Sequence, residues 1–164
     1  MALTKAQRYG MRQRAPEMIN SYPVRNGMTI YYGALVGIST VGVTDGRLVN
    51  WADTSGDLRF VGIAIPRGTR NLPESVLGDT NGTIKCEVYE GGATLENVAV
   101  AGATHQRSLG DPVYASDNGT FTLTPTSNVG AVGRVARYIS SGQADVQLFS
   151  SMEYMANEDV GQDA

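Results

Sequence analysis

The chain has 164 residues and a formal net charge of −3, with 20 glycines, one cysteine, Cys86, and one histidine, His105. This length suits a single domain with a sizeable core, and a lone cysteine excludes an internal disulfide and so a stapled secreted scaffold. No run of about 18 apolar residues occurs and the start lacks the apolar centre of a signal peptide, so a soluble protein made in a cytoplasm, with no membrane partner, is expected. The many glycines, frequent Thr and Val, and the lack of a sustained helical apolar period point to an all-β protein of many short strands.

Charge is unevenly placed. Residues 1–26 carry Lys5, Arg8, Arg12, Arg14 and Arg25 against Glu17, a local charge of +4, whereas the tail from Ser151 carries Glu153, Glu158, Asp159 and Asp163, a local charge of −4. A basic head and an acidic tail thus flank a mildly acidic body.

Residues 1–27 read as an N-terminal arm outside the core. Thr4 and Gln7 have capping-box spacing, which predicts a short helix over 5–10, but so short a helix is marginal in water without a partner surface. Beyond Gly10, Pro16 and Pro23 favour extended backbone at the residues before them. Tyr9, Met11, Met18, Ile19 and Tyr22 make the arm too apolar for a solvated tail and too basic to fold alone, so it is expected to order against another surface, its own barrel being one such surface.

The barrel is predicted over 28–150. Ile30–Tyr32 leads into a strand at Leu35–Ile38, Asp45-Gly46 supplies a turn, and Leu48–Trp51 and Phe60–Ile65 complete a first β-meander. The piece from 66 to 82 is a long loop, with one helical turn predicted at 73–77; loops of this length tend to carry contacts. Thr83 onward alternates cleanly, Ile84, Cys86 and Val88 facing one way and Lys85, Glu87 and Tyr89 the other, as in a half-buried strand. Gly91-Gly92 turns the chain, Leu95–Val100 is the next strand, and 102–109 is a polar link.

A second meander comes next. Val113–Ala115 is a strand, Asp117-Asn118-Gly119 a hairpin turn, and Thr120–Thr124 alternate with Phe121 and Leu123 on one face. Ala131–Ile139 is the third strand, although Arg134 and Arg137 fall on opposite faces, and Gln143–Phe149 is the last. The unit repeats an earlier one: Gly33–Ser39 matches Gly110–Ser116, Gly46–Ala52 stands where Gly119–Pro125 stands, and Val61–Ala64 aligns with Val132–Val135. The offsets fall from 77 (33 to 110) through 73 (46 to 119) to 71 (61 to 132). Strand order is kept while loops vary, so the domain is read as two related β-meanders. The tail, 151–164, has no pattern and is expected to be mobile or docked on a partner.

Chemistry-bearing motifs are sparse. His105 lies near Ser108 and Asp111, but a triad needs geometry that spacing does not supply, and a solvated loop histidine is the favoured reading over a hydrolase. Cys86 sits on an apolar strand face as a small hydrophobe, with no cluster to hold zinc. Asp53, Ser55 and Asp57 begin like a calcium loop, but Leu58 and Ala64 stand where glycine and glutamate are needed. There is no phosphate-cradling loop and no dinucleotide fingerprint, so no catalytic residue, metal or cofactor is assigned. The cations of the arm are diluted by apolar residues and attached to an acidic body, which argues against nucleic acid as a partner.

The stretch from Thr83 to Phe149, above all NVAVAGAT at Asn97–Thr104, DPVYASDNGTFTLTPT at Asp111–Thr126 and VGRVARY at Val132–Tyr138, resembles the capsid cement, or head decoration, proteins of tailed bacteriophages. The resemblance covers the second half closely and the first half through its repeated Gly-Ala-Leu-Val and Val-Gly-Ile-Ala signals. It implies a small β-barrel or β-tulip-like domain, with an extended N-terminal arm here, that sits on the outside of the major capsid protein lattice of the virion. It implies a homo-oligomer, a trimer in the first place with a dimer as the other option, and stabilisation of the expanded head. The chain departs from a minimal cement protein in its arm and in the 66–82 loop.

On that reading the chain is non-enzymatic, and its contacts with capsid or with sister subunits are expected at Lys5, Arg8, Tyr9, Arg12 and Arg14, with Met18 and Tyr22 as apolar anchors. The rival reading is a virion-displayed domain that binds a host surface or glycan, signalled by Trp51, Tyr89 and Tyr114 clustering on one outer face.

Overall fold

The computed structural model describes residues 2–7, 9–13, 18–40, 46–51, 58–65, 74–125 and 130–161, with the side chains of 13 and 157–161 left aside. Its strands are β1 (Gly10–Gln13), β2 (Ile19–Pro23), β3 (Thr29–Tyr31), β4 (Leu35–Ser39), β5 (Leu48–Asn50), β6 (Leu58–Ala64), β7 (Ser75–Leu77), β8 (Lys85–Tyr89), β9 (Ala93–Ala101), β10 (Pro112–Ala115), β11 (Phe121–Thr122), β12 (Gly133–Ser140) and β13 (Gln143–Leu148). Among the described residues one α-helix, α1 (Ser151–Gly161), comes after them.

The strands close into two rings with the same connectivity. In the first, the order β2-β8-β6-β4-β5 is closed by a parallel bridge between Val24 and Leu48. In the second, β9-β13-β12-β10-β11 is closed by the parallel pairing of β11 with β9, Phe121 opposite Val100. β4 and β10 hold the same central place in their meanders, each flanked by the two strands that come after it. The hydrogen bonds repeat as well: Gly33 N–H donates to Ala64 O at 3.0 Å and Gly110 N–H to Val135 O at 2.9 Å, while Val24 N–H donates to Ile84 O and Val100 N–H to Gly142 O, both at 2.9 Å.

Two glycine positions explain why the meander signal survives in sequence. Gly33 and Gly110 enter their central strands at φ +85° and +84°, a conformation that costs glycine little and an L side chain much. Gly62 and Gly133 lie against a neighbouring backbone: a Cβ on Gly62 would stand 2.1 Å from Tyr89 O, and one on Gly133 would stand 2.3 Å from Gln147 O.

Each ring buries the side chains that point inward. Val24, directly after β2, and Val36, Leu48, Val61, Ala64, Cys86 and Val88 from the other four strands of the first ring belong to one buried cluster. The equivalent positions of the second ring are Val100, Val113, Phe121, Val132, Val135, Ala144 and Val146, all buried. The second ring holds bulkier residues at two of these places, Phe121 for Leu48 and Val135 for Ala64, and a smaller one, Ala144 for Cys86, at a third, so the two interiors are alike in apolar character and not in volume. A second cluster joins the outer face of the first ring to the second ring and to Tyr154 of α1.

Several expectations change. The helix over 5–10 does not form: Thr4 and Lys5 make a bend and the chain is extended from Gly10, because the edge of β9 offers a ladder of main-chain bonds that a single helical turn cannot match. The arm is not outside the core, since β1 pairs with β9 and β2 is a member of the first ring. The helical turn at 73–77 is replaced by β7, which pairs with β3 to form a two-stranded ribbon; residues 66–73 of the long loop lie outside the described residues. The tail is helical where described. Ser150 Oγ accepts from Glu153 N–H at 3.1 Å and Glu153 Oε2 accepts from Ser150 N–H at 2.8 Å, a reciprocal capping box that starts α1.

Tyr89, expected on the wet face of β8, is buried, because the outer face of the first ring is covered. The imperfect alternation around Arg134 and Arg137 has a physical cause too: the ladder shifts register between Val135 and Arg137, and such a bulge swaps the face of every later side chain.

Candidate contact surface

The described residues between 2 and 23 touch both rings, held mainly by their backbone. Leu3 N–H donates to Asn118 Oδ1 at 2.9 Å. Asn118, at the tip of the β10–β11 hairpin, is 3% exposed because it is inserted into the first ring: its C=O accepts from Leu35 N–H at 2.9 Å and its Nδ2 donates to Asn50 Oδ1 at 2.8 Å. A buried amide with all these partners fixes the rings to each other at little desolvation cost. Gln7 N–H then donates to Tyr32 O of the first ring at 2.7 Å, and β1 lies antiparallel on β9 of the second, Met11 opposite Leu95.

The residues expected to make capsid contact are divided by this arrangement. Arg8 and Arg14 lie outside the described residues. Lys5 is exposed. Tyr9 stacks edge-on against Phe121 with ring centroids 6.4 Å apart, and burial, reinforced by the charge of Asp117, pushes its hydroxyl up to about 12. Arg12 binds Glu96 at 2.9 Å and approaches Asp145 at 3.7 Å while two thirds of its side chain stays in solvent. Met18 is 37% exposed. Tyr22 donates a hydrogen bond from its hydroxyl to Glu90, which also accepts from Asn20 Nδ2 at 2.9 Å; burial and the Glu90 carboxylate raise the Tyr22 hydroxyl above its ordinary range. The surface thus brings Lys5, Arg12 and Met18 outward and turns Tyr9 and Tyr22 inward.

Asp145 is the group that sequence reasoning missed. Its side chain is fully buried on β13 and accepts from Asn97 N–H at 2.9 Å and from Arg137 Nε at 2.8 Å. Burial alone would raise its carboxyl, but the Asn97 and Arg137 hydrogen bonds and the charges of Arg137 and Arg12 outweigh that and hold it below the usual carboxylate range. Asn97 has φ 51°, an αL conformation that asparagine tolerates better than most residues. The available signal was the single acidic residue of β13, set between Ala144 and Val146, which demands a partner when buried.

A pocket of about 340 Å³ opens between the arm and β9, lined by Gln7, Tyr9, Glu96, Asn97, Phe121 and Gln143 among others. Among the described residues no group of three or more His, Cys, Asp or Glu side chains is placed to hold a metal ion, and the Asp53–Asp57 turn lies outside them. His105 is exposed, while Ser108 is buried in the 3-10 turn directly after it; Ser108 N–H donates to His105 O and Asp111 N–H to Ser108 O, both at 3.0 Å. The Cys86 thiol is 2% exposed, and burial, with the Glu87 charge, pushes it up to about 12, so it stays protonated and inert. Trp51 and Tyr89 are buried and Tyr114 is half-buried, so these three do not form an exposed aromatic platform. No family model and no curated protein matches this chain.

Proposed function

We propose that this protein is a capsid cement protein: a non-enzymatic, homo-oligomeric virion component that binds the outer surface of a phage major capsid protein lattice and stabilises the expanded head. The observation that carries the reading is the N-terminal segment, whose described residues pair as strands β1 and β2 with both rings and carry exposed cations, Lys5 and Arg12, on an otherwise acidic chain. β1 is the terminal strand of its sheet, bonded to β9 on one side, so its other edge can receive a strand from a neighbour. An oligomer that engages several capsid subunits through such modest contacts gains strength through effective concentration rather than through any one contact. The cations suit an acidic capsid surface or the acidic tail of a neighbouring copy.

Deleting residues 1–27 would remove a strand of the first ring along with the arm, so point variants test the reading more cleanly. The full chain and a double variant, Lys5→Glu with Met18→Asp, are to be mixed with expanded heads stripped of decoration and sedimented. The full chain is expected to co-sediment at saturable stoichiometry and the double variant to lose at least tenfold in affinity. A chain that never co-sediments ends the proposal, and equal binding by the double variant moves the contact surface off the arm.

A further inference from the structure

The two rings differ at one strand edge, and the difference bears on assembly independently of any capsid partner. In the second ring the first half of β9 has β13 on one side and β1 on the other, Gly10–Gln13 lying opposite Ala93–Glu96. The equivalent stretch of β2 has β8 on one side and, among the described residues, no strand on the other until Val24 meets Leu48. The direction of the main-chain groups is set by their bonds. Glu90 N–H donates to Met18 O and Val24 N–H to Ile84 O, both at 2.9 Å, so the even-numbered residues of this stretch face β8. Ile19 and Ser21 therefore turn their N–H and C=O outward, as Arg25, further along and also odd-numbered, does when its N–H crosses that edge to Leu48 O at 3.1 Å. Leu95, the counterpart of Ile19, is the residue that faces Met11 of β1.

Exposed edges are ordinarily guarded by charge, by proline or by a bulge. Met18–Tyr22 carries no charge, Asn20 and Ser21 are exposed, and Pro23 bounds the stretch at one end only. We propose that a second copy of this chain covers the edge, β2 against β2, antiparallel across a two-fold axis at Asn20. In that register Ile19 of each subunit exchanges both main-chain bonds with Ser21 of the partner subunit, so every outward group of the pair is satisfied. The contact is self-complementary, as a two-fold interface must be. It brings no like charges together, and its antiparallel sense is the one in which β1 already sits on β9.

The register puts Asn20 opposite Asn20 of the partner subunit in a non-hydrogen-bonded pair, with Cα atoms about 4.5 Å apart, inside the range a disulfide spans. Cys86 is buried, so an introduced thiol is the reactive one. Under mild oxidation the full-length Asn20→Cys variant is expected to form a covalent dimer, and the unmodified chain to show a concentration-dependent dimer in sedimentation velocity. Ser21→Pro deletes an N–H that points away from β8, so it is expected to keep the circular dichroism spectrum and to sediment as a monomer. An Asn20→Cys protein that stays monomeric under oxidation overturns the proposal, as does an oligomer that Ser21→Pro leaves intact. If Ser21→Pro instead abolishes binding to a shell while the free chain is monomeric, the strand comes from another protein and the dimer is refuted.

Discussion

The two rings share an interior and differ on their outer face. Inside, each position of one ring has an apolar counterpart in the other. Outside, Leu35, Val49, Trp51, Phe60, Ile63 and Tyr89 of the first ring correspond to Pro112, Thr122, Thr124, Ala131, Arg134 and Gln147 of the second. The first set is buried and the second is half-buried or exposed. The second ring and α1 together cover the first ring's outer face, Tyr154 packing against Trp51 and Phe60 with ring centroids 5.7 Å from each, whereas Arg134 on the second ring lies in solvent near the Phe149 ring. Closure of a small ring dictates what goes inside it, so the interior tolerates little change. The outer face answers only to what covers it, and one copy was free to become a docking surface for the tail while the other stayed polar.

The widest separation between the rings is expected at that face. Trp51→Ala should cost about 3–5 kcal/mol, while Thr124→Ala, at the same place on the second ring, should change stability by less than about 0.5 kcal/mol; chemical denaturation of both variants measures this. Comparable losses would mean that the outer faces are not distinct. The glycines test the opposite claim, that the frameworks are equivalent. Gly62→Ala and Gly133→Ala each force a Cβ into a carbonyl oxygen, and each should cost about 3 kcal/mol; a large loss at one and none at the other would break the equivalence.

Smaller effects come from single polar side chains. Asp145→Asn should cost about 1–3 kcal/mol through its charge-assisted hydrogen bonds. Because the folded Asp145 carboxyl is held below its unfolded value, its contribution is fully present above the ordinary carboxylate range and is lost as pH falls through the folded value. Melting from neutral to acid pH should therefore show a steeper acid loss for the unmodified chain than for Asp145→Asn. Ser150→Ala removes the cap of α1 and should cost about 1 kcal/mol, with a loss of helical signal in circular dichroism as its specific sign.

Much of the strand framework could be read from residue pattern alone. The Asn118-Gly119 hairpin tip, the alternation around Cys86 and the shared Gly33/Gly110 and Gly62/Gly133 positions were legible locally, so the two meanders were visible, while Asp45 of the expected Asp-Gly turn lies outside the described residues. What pattern missed depended on partners distant in the chain. β1 and β2 look like an arm because their pairing residues lie far along the chain, Gly10 opposite Glu96 and Pro23 opposite Lys85, and a strand completed by a remote neighbour leaves only weak local periodicity. Of the contact surface, the exposure of Lys5 and Met18 agrees with their charge and position, but the inward turn of Tyr22 depends on Glu90, which no spacing rule connects to it. The α1 cap was legible in Ser150-Ser151-Met152-Glu153 and was obscured by the acidity of the tail beyond Glu153.

The proposed role is tested most directly by heating expanded heads stripped of decoration, alone and after saturation with this protein, while monitoring the temperature at which the shell releases DNA. The cement reading predicts that saturation raises that temperature and that the double variant, Lys5→Glu with Met18→Asp, raises it less. Saturable binding that leaves the release temperature unchanged would contradict cementing and favour a displayed domain with a target elsewhere.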